Sequence, residues 1–220
     1  LIEQITASVQ RVLAPAAATT PAIAAEPSAE DMKSEDPALH AKIDVFADLI
    51  KQGQSKLAEA GLNALLSDGS VAARPWANYR VVANLGSAAM DLGRDDEAAQ
   101  RYAEAHDLRP DFPKAIALLA TARTIQGRYD EAMALAQQAL SATPRADHAV
   151  SHLLQAAARS DWEGDPEALI PEDLRGTPDA DLGLAEFLRR RDFAGWERRC
   201  IALAAAHPDV EALRNVSAIA

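Results

Sequence analysis

His148 and His152 stand four residues apart. On a helix that spacing puts two imidazoles on one face, where they could hold a metal ion. The residues between them are Ala149, Val150 and Ser151, so the glutamate of a zinc-protease helix is missing. No second group of His, Cys, Asp or Glu has ligand spacing nearby, and the sequence predicts neither a metal nor a cofactor. None of the five histidines joins a Ser or Cys in a recognised nucleophile setting. The glycines of LGRDDEA and QGRYDEA belong to helix turns and form no phosphate loop. Asp95, Asp96 and Glu97, like Asp130 and Glu131, are read as first-turn residues that meet the positive end of a helix dipole. Cys200 is the only cysteine, so no intrachain disulfide exists, and it is read as a small packed core residue. The chain itself is therefore expected to be non-catalytic. Its expected setting is the cytoplasm, with the periplasm left open.

Bulk properties narrow the partners. A formal charge of −11 and a pI of about 4.9 argue against nucleic acid and anionic membrane surfaces. No apolar run reaches the ~20 residues that span a bilayer. The one basic island, residues 189–191 with Arg198 and Arg199, is read as a solvated helix face.

The elements that position these residues are legible as a repeat. Pro110 and Pro144 are 34 residues apart, and Gly93, Glu97, Ala98 and Ala105 return as Gly127, Glu131, Ala132 and Ala139. The 220 residues are 49% hydrophobic but only 5% aromatic, and alanine, the best helix former, is abundant. No stretch alternates as a strand does. The expected fold is all-α.

One unit supplies Val82, Leu85, Gly86, Ala98, Tyr102, Ala105 and Pro110, and the next supplies Ile116, Leu119, Ala120, Ala132, Ala136, Ala139 and Pro144. Small residues suit a close helix crossing. Pro110 and Pro144 stop the second helices, and Gly93 and Gly127 suit the left-handed cap between helices. In content and period the two units, 79–112 and 113–146, resemble the tetratricopeptide repeat. Ala136 departs from the aromatic of that pattern. The resemblance implies a right-handed α-solenoid of antiparallel helix pairs over residues 38–220, about five units in all. A divergent unit covers 39–68, with Phe46, Leu49, Gly53, Ala58, Leu62 and Leu65. The spacing from Leu39 to Tyr79 is 40, six longer than the repeat, with the insertion at 67–76. Trp76 is expected to open the next helix early and to pack on the preceding pair. A unit from Asp147 has a good first helix, but Pro166, Pro171 and Pro178 argue against a full second one. A last unit would start near Thr177, with Trp196, Cys200 and Leu203 replacing family residues and Pro208 closing it.

In such repeats the first helices line a concave face. Transferred here, the lining is Arg80, Asn84, Ser87 and Met90, then Lys114, Leu118, Thr121 and Ile125, then His148, Ser151, His152, Gln155 and Arg159. Arg80, Lys114 and Arg159 would suit a peptide with acidic or carboxylate groups. A subfamily that grips chaperone C-termini is not matched. Ile43, Ala47, Ala117 and Thr121 stand where its clamp needs Lys, Asn, Lys and Arg, and only Asn84 agrees.

Residues 1–13 read as a short amphipathic helix with Ile2, Ile5, Val9 and Val12 on one side. Residues 14–37, rich in Ala and Pro, read as a linker. The chain opens on Leu1, without a charged leader, and residues 210–220 read as a helix with Leu213, Val216 and Ile219 on one side. These ends suggest a piece of a longer protein. The expected function is a protein–protein interaction scaffold. The alternative is a regulatory or substrate-presenting arm of a larger enzyme, such as a bacterial transferase. Self-association through either end is a further option.

Overall fold

The computed structural model describes residues 35–142 and 148–192, with Ala194, Gly195, Arg198, Ala202 and Ala205 beyond them. The expected helix at 1–13, nearly all of the linker, Pro144, and the residues Trp196, Cys200, Leu203 and Pro208 lie outside the described residues, as does the segment 210–220.

Among the described residues there are eight α-helices and no strand. They are α1 (Pro37–Lys51), α2 (Ser55–Ser67), α3 (Pro75–Asp91), α4 (Asp95–Leu108), α5 (Pro113–Ile125), α6 (Tyr129–Ser141), α7 (Ala149–Arg159) and α8 (Pro178–Arg191). Proline opens α1, α3, α5 and α8. Its fixed φ suits a first helical turn and its missing N–H would have had no partner there. Asp36 caps α1 through the Leu39 amide at 3.1 Å, and Thr177 caps α8 through the Ala180 amide at 3.4 Å.

Three hairpins share one turn. Gly53, Gly93 and Gly127 have φ of 74, 71 and 73°. The next amide in each case reaches back to the carbonyl of Leu49, Ala89 or Arg123, at 2.8–2.9 Å. This Schellman closure satisfies the last carbonyls of α1, α3 and α5 and folds the next helix back antiparallel. The arginine that follows has a second task. Arg94 pairs with Glu97 at 2.8 Å and Arg128 with Glu131 at 2.6 Å, which ties the turn to the first turn of the next helix.

Small residues set the crossings. Ala98, Ala105, Ala132, Ala136 and Ala139 are fully buried. A Cβ on Gly86 would stand 2.6 Å from the Tyr102 ring, so only glycine lets α3 meet α4 there. The insertion before α3 is also part of the core, since its Val71 packs with Leu62, Leu65 and Val81. Trp76 does lie in the opening turn of α3, but its ring faces forward. It stacks edge-on against Phe112 at 5.2 Å and lies 3.8 Å beneath the Arg109 guanidinium. Phe112, just before α5, offers an aromatic face, which is why the ring turns away from the preceding pair.

The unit opened by α7 lacks a second α-helix. Residues 166–174 instead form two short 3-10 turns, Pro166–Leu169 and Glu172–Leu174. Trp162 stacks on Phe187 at 6.0 Å, and Ile170 is buried in the core beside Leu154 and Leu184. The early residues of α7 and α8 meet, Ser151 with Asp179 at 2.8 Å. So do their late residues, since Arg191 donates to the Ala158 carbonyl at 3.1 Å. The two helices therefore run parallel. In this arrangement α8 is the next first helix, laid directly on α7.

Candidate functional site

The face of the first helices α1, α3, α5, α7 and α8 carries the residues expected to bind a partner. Its polar side chains largely bond within the chain. Asn84 donates to the Arg80 carbonyl at 2.8 Å, Ser87 to the Ala83 carbonyl at 3.3 Å, and Thr121 to the Ala117 carbonyl at 3.2 Å. Arg159 donates to the Gln155 carbonyl at 3.1 Å. Each is a bond to the helix's own preceding turn, which a short or bent side chain can make without leaving its element.

The three expected cations stand in different settings. Arg80 is an ion-pair partner of Asp44 on α1, and its other terminal nitrogen lies 2.8 Å from His40 Nδ1. Lys114 is exposed at the start of α5. Arg159 closes α7 half-buried, where burial first and Arg190 second hold its guanidinium below the ordinary value. Met90, Leu118 and Ile125, expected on the same face, are partly buried and pack on one core cluster.

The two histidines do not form a pair. His148 lies before the helix, at φ 63°, and so is outside the register that the spacing assumed. Its Nδ1 is 3.2 Å from Asp179 on α8, and Ser151 donates to the same carboxylate at 2.8 Å. Burial pushes the Asp179 carboxyl up, but the bonds from His148 and Ser151 and the charges of both imidazoles outweigh it and leave it below its ordinary value. His152 turns instead to α5, with Nδ1 3.4 Å from Thr121 Oγ1. Burial, and then the neighbouring His148, lower its pKa from 6.5 to about 4. Among the described residues no three His, Cys, Asp or Glu side chains converge as a metal site would require.

The basic island at the end of α8 is only partly a solvated face. Arg189 grips Glu186 with two bonds of 2.7 and 2.8 Å. Arg191 donates to the carbonyls of Ala157, Ala158 and Ser160, so it caps the end of α7. The sequence reading missed Asp44, His40, Asp179 and Glu186. Asp44 could have been found by the family positions, since, counted from Leu39, it stands at the place that Asn84 holds counted from Tyr79. Two of these carboxylates bridge neighbouring first helices: Asp44 to Arg80, and Asp179 to Ser151 and to His148 just before α7. Such bridges fix the helices side by side. None of the described helices is long and apolar enough to cross a membrane.

One comparison with known families agrees with this geometry. No curated protein and no solved structure matches the chain. A family model described as a tetratricopeptide repeat matches residues 89–158, from the last turn of α3 through α7. Repeats of this kind generally mediate protein–protein interaction. With two hairpin turns of one form 34 residues apart and small residues buried at the crossings, this segment is similar to tetratricopeptide repeats.

Proposed function

We propose that this chain is a protein-interaction scaffold and that the first-helix face takes a partner segment bearing carboxylate groups. The observation that carries the reading is the exposed Lys114 on the same expected face as the partly buried Met90, Leu118 and Ile125. An extended segment could lay apolar side chains on those three residues and a carboxylate on the lysine. Arg159 offers a second cation on the same face. Arg80 can serve as a third only by sharing or leaving Asp44. Charge-assisted hydrogen bonds are the strong kind, and each lost cation should cost about 1–3 kcal/mol of binding where the pair is desolvated.

The test is a pull-down with the purified chain, quantified by mass spectrometry, against a variant with Arg80, Lys114 and Arg159 changed to Ala. The expected result is weaker recovery of the partner with an unchanged helical circular dichroism spectrum. Recovery that survives the triple change but fails on deletion of residues 1–13 would move the site off this face.

A further inference from the structure

His40 is fully buried on α1, and the groups around it form a chain of contacts. Its Nδ1 lies 2.8 Å from an Arg80 nitrogen. A guanidinium can only donate, so Nδ1 must accept, and the neutral imidazole carries its hydrogen on Nε2. That Nε2 is buried without a hydrogen-bond partner. It faces Glu35 Oε2 at 3.6 Å, too long for a good bond. Glu35 is itself fixed, since its carboxylate accepts from the Ala77 amide at 3.0 Å and the Trp76 amide at 3.4 Å. Those are early amides of α3, whose own capping residue Arg74 makes no side-chain cap. Three charged groups therefore surround the ring: Arg80 from α3, Glu35 from the segment before α1, and Asp44 from its own helix.

A proton on His40 would reverse this arrangement. The imidazolium has no acceptor left, so Nδ1–H and the Arg80 N–H would be two donors facing each other at hydrogen-bond distance. On the other side, the long contact to Glu35 would become a charge-assisted bond. We propose that His40 is a proton-operated gate on Arg80: on taking a proton it tightens on Glu35 and releases one terminal nitrogen of the guanidinium, the other still shared with Asp44, toward the first-helix face, where acid then strengthens binding of a carboxylate-bearing partner. The binding half of this inference rests on the proposed function; the gate itself does not. Burial first, and the Arg80 charge second, keep His40 below the usual histidine range, while Glu35 and Asp44 oppose them. The gate thus operates on the acid side of neutrality.

The experiment uses the full chain. NMR follows the His40 ring and the Arg80 Nε–H signal as pH is lowered from about 7.5 to about 4.5. The Arg80 signal should move with the midpoint of the His40 ring. In Glu35→Gln that midpoint should fall, because the imidazolium loses its acceptor charge. In His40→Gln the Arg80 signal should stay still. A second arm measures fluorescence anisotropy of a labelled peptide of alternating Glu and Ala. It should bind about threefold more tightly near pH 5.5 than near pH 7, the size of one added surface charge, and His40→Gln should abolish the ratio. An Arg80 signal that ignores the ring titration, or a midpoint unmoved by Glu35→Gln, overturns the gate. A peptide that binds equally at both pH values overturns its coupling to binding. A peptide that binds at neither pH overturns the groove reading and that coupling, while the NMR arm still decides the gate.

Discussion

At the scale of single residues, buried imidazoles are the most informative groups. His152 is held between α5 and α7, and its pKa falls from 6.5 to about 4. The unfolded chain takes its proton near 6.5, whereas the folded chain resists until about 4. A histidine with a lowered folded pKa contributes stability above the unfolded value, and that contribution is lost as pH falls through the folded one. Melting temperature should therefore drop between pH 6.5 and 4 by more than the surface carboxylates explain. His152→Asn removes the titration and should flatten the slope in that window. His40 adds a loss of the same sign, so a shallower slope should remain in the variant. A wild-type melting temperature flat over that window would show that His152 is not held neutral. The same residues mark where sequence reading stops. The small residues Gly86, Ala98 and Ala132 could be placed at crossings because a 34-residue period fixes their register. The bond from Arg80 to Asp44 could not, because it depends on how α1 lies against α3 across a spacing six residues longer than the repeat.

At the scale of elements, the junction of α7 and α8 departs most from the repeat. Pro166, Pro171 and Pro178 announced that a second helix would fail, and Thr177 with Pro178 announced where the next helix begins. Neither showed that α8 would lie parallel and directly against α7. That depends on Gly183, whose missing Cβ would stand 2.8 Å from the Ser151 Cα and 3.0 Å from a Leu154 methyl. Backbone cannot yield as a side-chain tip can, so Gly183→Ala forces the helices apart. On propensity alone that change would stabilise a helix interior by roughly 1 kcal/mol. Strain from overpacking should win, for a net loss of about 1–3 kcal/mol in chemical denaturation. Gly183→Ala that stabilises the chain would show that the helices do not meet there.

At the scale of the whole molecule, the described helices pack chiefly on their neighbours along the chain, so stability should be local along the solenoid. The core is a row of clusters rather than one centre: Ile43 and Leu62 at the start, Tyr79, Val82 and Phe112 next, and Leu153, Leu154 and Leu184 toward the end. The last of these is covered by the two 3-10 turns instead of a second helix, and that cover is pinned by Trp162. Its ring meets Phe187, and both pack beside Ala157, Ala158, Met133 and Leu169. Trp162 is half-buried, so Trp162→Ala should cost about 2 kcal/mol, less than a fully buried tryptophan. Its effect should also be confined. Hydrogen exchange should quicken in α8 and the second half of α7, where the lost contacts lie, while α1 and α2 keep their wild-type rates. A globular core would instead transmit the loss to every helix. Uniform acceleration from α1 to α8 would therefore contradict a solenoid built of neighbour contacts. Confined acceleration would also show that the turns between α7 and α8 replace a helix in stability as well as in sequence place.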